Sequence, residues 1–230
     1  MGDVALQVDA LDYLFGIVFN SGEIRKSLEP AQSMLDLGRE HNDLVARISG
    51  DQVLGMAYCA LGELEKARHH LESALETNGQ EVTGINCYPS MTLDYLSYVM
   101  FFLGDYPRAA ELVDQAIESA RSESLYATAS ALSNSCFTEM MLGNHDRVLK
   151  FSEEVISLAN DRGQYMYLDR GHTFHNLARA HLEGDRTALE SVVAATNRLV
   201  AAGEYIDLTY IIGMTAEAQL ALHEQWEIGN

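Results

Sequence analysis

Apolar residues along this chain recur at steps of three and four. Ile48, Val53, Leu54, Ala57, Tyr58 and Leu61 do so ahead of Gly62, and Leu64, Ala67, Leu71, Ala74 and Leu75 do so behind it. That period gathers the apolar positions into one stripe of an α-helix and leaves the polar ones on the opposite face. Between stripes a short phrase recurs: Asn20-Ser21-Gly22-Glu23, Leu61-Gly62-Glu63-Leu64, Leu103-Gly104-Asp105-Tyr106, Leu142-Gly143-Asn144-His145 and Glu183-Gly184-Asp185-Arg186. Its glycines lie 40, 42, 39 and 41 residues apart. The carboxyl end of a helix favours a left-handed residue, a conformation Gly adopts without Cβ strain. The Glu or Asp after Gly22, Gly62, Gly104 and Gly184 suits the amino end of the helix that follows. Each unit therefore reads as helix, tight turn, helix.

Small side chains mark where the two helices of a unit must come close. Ser27, Ala67 and Ala109 stand five positions after their glycines, and Ala74 and Ala116 hold the next such place; Val148 and Leu189 fill the first slot in the last two units. One hairpin cannot cover its own apolar face, but stacked neighbours cover one another. The pattern predicts a single all-α domain over 1–230, a right-handed α-α superhelix. Its hairpins fall near 8–45, 46–78, 90–121, 126–160 and 168–202, followed by a closing helix over 207–226. The longest irregular stretch is Asn78 to Ser90, with Pro89 placed for the first turn of the next helix. A further turn glycine would fall due near residue 225, so the closing helix reads either as a cap or as part of a longer array.

The run Leu54-Gly55-Met56-Ala57-Tyr58-Cys59-Ala60-Leu61-Gly62-Glu63-Leu64-Glu65-Lys66-Ala67, with Leu71 and Ala74 behind it, resembles a tetratricopeptide (TPR) repeat. Its small, aromatic and alanine signature positions are filled, although the period near 40 exceeds the usual 34. The resemblance implies a TPR-like solenoid whose concave face is lined by the first helix of each hairpin. Three segments, His70 to Glu76, Leu103 to Ala109 and Ala116 to Arg121, are similar to the carboxy-terminal repeat region of large bacterial signalling ATPases. Class III adenylate cyclases with an ATPase module and LuxR-type regulators carry such regions. The chain departs from those parents in having no P-loop, cyclase segment or helix-turn-helix, so nucleotide chemistry is not carried over.

Composition narrows the functions. Fifteen Lys and Arg against thirty-four Asp and Glu give a net charge of −19 and no compensating basic stripe. Such a surface repels phosphate backbones, which argues against nucleic-acid binding. Cys59, Cys87 and Cys136 are odd in number and far apart, as expected of reduced thiols in a cytoplasm. No apolar run reaches membrane-spanning length, and the opening residues lack a basic flank and a cleavage site. A cytosolic protein without a membrane role is the expectation.

In the TPR register the concave face takes Met56, Cys59, Asp94, Tyr98, Phe101, Cys136, Glu139, Met140, Phe174 and His181. Aromatic, Met and acidic residues alternate there, as in a groove for an extended or helical peptide. Asp94 or Glu139 would pair with a basic group of the partner. A stripe at helical spacing is also what core packing produces. Eight histidines prompt a search for a metal site, yet His69 and His70 point apart, and His172 and His175 lack carboxylates at ligand spacing. No nucleophile elbow, P-loop or dinucleotide fingerprint is present. The expectation is a binding scaffold with no cofactor, a sensory module for a protein or peptide, with a small-molecule effector also compatible. A structural adaptor working through its ends is the alternative, and a repeat-based phosphatase a distant third.

Overall fold

The computed structural model describes residues 4–78, 88–162, 165–203, 205 and 208–228. Among them are eleven helices and no strand. They are α1 (Val4–Asn20), α2 (Ile24–Glu40), α3 (Leu44–Ala60), α4 (Leu64–Asn78), α5 (Pro89–Phe102), α6 (Tyr106–Glu123), α7 (Leu125–Met141), α8 (His145–Arg162), α9 (Tyr165–Glu183), α10 (Arg186–Ala202) and α11 (Leu208–Ile228). Two compact units divide them: Met1–Glu123 holds α1 to α6, and Ser124–Asn230 holds α7 to α11. Within the first unit three hairpins pack in series, with α1 beside α3 and α3 beside α5. Within the second, α7 lies beside α9 and α9 beside α11. The expected insertion between Asn78 and Ser90, with Cys87, falls largely at 79–87, outside the described residues.

One turn closes the hairpins. Gly22, Gly62, Gly104, Gly143 and Gly184 all take positive φ, between 67° and 86°. In the first four, the N–H after the glycine donates to the carbonyl five residues back: Glu23 to Val18, Glu63 to Tyr58, Asp105 to Met100 and Asn144 to Glu139, at 2.8–3.2 Å. The glycine N–H donates to the carbonyl three residues back, completing a Schellman closure that satisfies the last carbonyls of the first helix. The following acid then serves the next helix: Asp105 and Asp185 accept from backbone N–H groups two or three residues on.

The joint between the first two hairpins has no glycine. Asn42 sits there at φ 51°, the amide residue that best tolerates the left-handed region, and Asp43 caps α3 by accepting from the Ala46 N–H at 3.0 Å. The second hairpin therefore begins at Leu44, two residues ahead of its predicted start. At α5 the helix start is capped from another helix. Glu123, ending α6, accepts from the Ser90 N–H at 3.0 Å and from its hydroxyl at 2.6 Å. A carboxylate against an amino end is favoured by the backbone dipole.

Ala67, Ala109 and Ser27 are fully buried as their spacing predicts, and so is the larger Val148. Glycine does the same work at two crossings of the first unit. A Cβ on Gly55 would lie 2.5 Å from Leu71 Cγ, and one on Gly50 would lie 2.5 Å from the Leu35 backbone N. The Gly50 contact is with backbone, which cannot swing aside. Gly50→Ala should therefore destabilise the protein by about 2 kcal/mol in urea denaturation. Gly213→Ala, where a Cβ meets nothing within 4 Å, should instead stabilise by up to about 1 kcal/mol.

Candidate functional site: the faces of the first helices

Counting back from each turn glycine puts the helices in one register. Asp94 and Phe174 stand ten residues before their glycines, Met56 and Tyr98 six, and Cys59, Phe101, Met140 and His181 three. Because α1, α3 and α5 lie side by side, the first unit gathers Met56, Cys59, Asp94, Tyr98 and Phe101 on one row of helices. Met56, Cys59, Asp94 and Tyr98 are buried, and Phe101 is half-buried. The aromatic residues continue past that row. Tyr95 and Tyr98 lie 5.2 Å apart between ring centroids, Phe101 and Phe102 5.6 Å, and Phe101 and Tyr106 5.2 Å. Phe102 and Tyr106 open to solvent at 38% and 54%.

In the second unit the register separates the expected residues. Cys136 and Glu139 stand seven and four residues before Gly143, out of step with the rest. Both turn toward their own hairpin: the Cys136 thiol lies 3.9 Å from the Val148 carbonyl, and the fully buried Glu139 carboxylate holds Asn144 Nδ2 at 2.6 Å and Arg147 Nε at 2.9 Å. Glu139 thus ties α7 to the turn and to α8, where Arg147 also lies over the Phe151 ring. Six residues before Gly143 stands Phe137, a position in step with Met56 and Tyr98 that the sequence reading passed over. Its ring meets Tyr210 of α11 edge-on at 5.0 Å. A strict count from the glycine was the signal that finds it. Phe174 and Met140 are both buried.

His181 is half-buried and stacks on His145 of α8, ring centroids 4.3 Å apart and planes within 10°. Burial lowers the pKa of both imidazoles, and His181 adds to the effect at His145 by like-charge repulsion. Among the described residues no group of three or more His, Cys, Asp and Glu is placed to hold a metal ion.

The first unit contains Asp, His and Ser in contact, but not in a catalytic order. Asp51, buried in α3, takes His70 Nδ1 at 2.8 Å on one oxygen and the Ser73 hydroxyl at 2.8 Å on the other. The serine gives its proton to the carboxylate rather than to an imidazole, so no nucleophile is activated. Tyr58 stacks on His70 at 5.5 Å and carries Lys66 on its other contact, 5.1 Å from the ring centroid. This cluster fastens α3 to α4. Burial pushes the Cys59 thiol up to about 12, which keeps it protonated and a poor ligand or nucleophile.

Residues 45–122 match the tetratricopeptide repeat family model. The fold is shared with solved helical-repeat structures. A Rap protein complexed with competence and sporulation factor aligns with a TM-score of 0.66 at 17% identity, over 98% of this chain and 67% of that one. Two structures of TPR-like repeats from a Podosopora anserina kinesin light chain align at TM-scores of 0.59 and 0.58, with 13% and 14% identity. They cover 89% and 86% of this chain, and 100% and 98% of theirs. No curated protein matches the chain. It is a TPR-like helical-repeat protein with an all-α solenoid fold. No described helix is long and apolar enough to cross a membrane.

The histidine stack gives the molecule a pH signature. A folded-state pKa held below the ordinary 6.5 means that the unfolded chain takes up protons first as pH falls. The stability contributed by the neutral pair is present above about pH 6.5 and is lost as pH drops below it. Urea midpoints measured at pH 7.5 and pH 5.5 should separate less in a His145→Phe/His181→Phe variant than in the parent, since two stacked phenyl rings do not titrate.

Proposed function

We propose that the chain is a binding scaffold that takes a peptide or a segment of a partner protein along its first-helix face, with the α5 aromatics of the first unit as anchors. The observation that carries this reading is two aromatic groups on α5 and the start of α6: Tyr95 pairs with Tyr98, and Phe101 with Phe102 and Tyr106, with Tyr98 buried and Phe102 and Tyr106 open. Aromatic groups held rigid by one another lose little freedom on binding, which is why such residues dominate binding energy elsewhere. A net charge of −19 favours a partner with basic groups beside its apolar anchors. The Rap structure, which shares the fold, was solved with a factor bound, and that supports the same use of the fold here.

The likeness of His70 to Glu76, Leu103 to Ala109 and Ala116 to Arg121 to the repeat regions of signalling ATPases supports a finer reading. In it the chain is a cytoplasmic sensory or regulatory module of a bacterial signalling protein. Occupancy of the face would bias the packing between neighbouring hairpins, the one degree of freedom a repeat stack offers.

Selection of displayed random peptides against the full chain tests the reading. Affinities of the enriched peptides should fall at least about tenfold on Phe102→Ser/Tyr106→Ser, which spares the core, and on Tyr98→Ala/Phe101→Ala. Peptides that bind both variants as they bind the parent would leave the structural-adaptor role in its place.

A further inference from the structure

Helix α1 carries apolar residues on two faces. Val8, Phe15 and Phe19 are buried, whereas Leu6, Tyr13 and Ile17 are 67%, 76% and 69% exposed, with Ala10 and Leu14 exposed among them. Leu6, Ala10, Tyr13 and Ile17 are spaced by four, three and four residues, so they form one outward stripe. Scattered exposed hydrophobics are ordinary; a continuous stripe three turns long is not.

The internal repeat identifies what such a stripe receives. Moved on by the 40 residues that separate Gly22 from Gly62, Leu6, Ala10, Tyr13 and Ile17 fall on Ala46, Gly50, Val53 and Ala57 of α3, all of them buried. That face of α3 is seated against the second helix of the preceding hairpin: a Cβ on Gly50 would meet Leu35 of α2. The second unit offers a comparable contact, one residue out of step with the first. Gly171 of α9 stands thirteen residues before Gly184, against twelve for Gly50 before Gly62, and it lies against Val155 and Ile156 of α8. In both units the side of a first helix that carries its glycine is covered by the preceding helix, which presents branched aliphatic side chains. In α1 the positions carry larger side chains, Leu, Tyr and Ile, and lie open.

Charge sets the character of the helix that would cover it. Residues 4–20 include Asp9 and Asp12 and neither Lys nor Arg. Asp9 borders the stripe, and Asp12, three positions on, lies on the same side but nearer the buried Val8, Phe15 and Phe19. Asp12 is half-buried; burial first, and repulsion from Asp9 second, raise its pKa. A cation placed beside the exposed Asp9 would relieve that repulsion. A second copy of this chain would bring another net charge of −19 to the same place, which opposes self-association through it.

We propose that the exposed face of α1, built on Leu6, Ala10, Tyr13 and Ile17 and bordered by Asp9, docks an amphipathic helix of a partner protein whose aliphatic stripe is bordered by Lys or Arg. This helix takes the place that α2 takes on α3. The surface is separate from the α5 aromatic face and would be used together with it or alone.

Two labelled amphipathic peptides of about 18 residues, one of Leu and Lys and one of Leu and Glu, serve as probes by fluorescence anisotropy against the full chain in about 0.1 M salt. The Leu/Lys helix should bind saturably with one site, and the Leu/Glu helix at least about tenfold more weakly. Tyr13→Ser/Ile17→Ser changes no charge and removes only exposed groups, and it should weaken Leu/Lys binding at least about tenfold while circular dichroism stays unchanged. Tyr98→Ala/Phe101→Ala should leave that binding as it is, which separates this surface from the proposed groove. The proposal is overturned by an unsaturable Leu/Lys isotherm, by equal binding of the two peptides, or by indifference to Tyr13→Ser/Ile17→Ser. It is equally overturned if sedimentation finds a dimer that Ile17→Ser dissolves, for then the occupant is a second copy.

Discussion

A glycine in the left-handed region, closed by a hydrogen bond reaching five residues back, is the constraint on which the hairpins rest. It stops one helix, satisfies its last carbonyls and reverses the chain within three residues, so that the next helix has to run antiparallel and close. Closeness then dictates composition. Ala67 and Ala109, with Gly55 opposite Leu71, are small because the helix axes leave no room for more. The exposed acids after the glycines are a second consequence, since the amino end of each new helix begins where the turn ends.

Most of this was legible because it is local. A positive φ demands Gly, a first turn favours Asp, and a crossing demands Ala, so five evenly spaced glycines were enough to announce an all-helical chain of hairpins. The joint at Asn42 was less visible because Asn reaches the same conformation without the glycine that marks it elsewhere. The cap of α5 by Glu123 was not visible at all: it joins residues thirty-three positions apart, and nothing in the neighbourhood of either announces the other.

The candidate residues share one register only in part, for a geometric reason. One residue of slip on a helix turns a side chain by roughly a quarter of a circle. Met56, Cys59, Asp94, Tyr98, Phe101, Met140, Phe174 and His181 keep the count from their glycines, whereas Cys136 and Glu139 miss it by one and turn inward. Glu139 shows how a buried carboxylate can look like a recognition group in sequence and yet be spent on holding Asn144 and Arg147. Asp51 is likewise spent within the first unit, on His70 and Ser73. Removing such a carboxylate would strand its partners rather than free a binding site.

Burial at Cys59 has a practical side. Its thiol is enclosed by the middle helix of the first unit and stays protonated far above neutral pH. Alkylating and oxidising reagents act on the thiolate, so in the intact fold this sulfur is shielded twice, by access and by ionisation. The rate at which an alkylating reagent reaches it is then a clock for the local opening of α3, supplied by the native sequence without any introduced label.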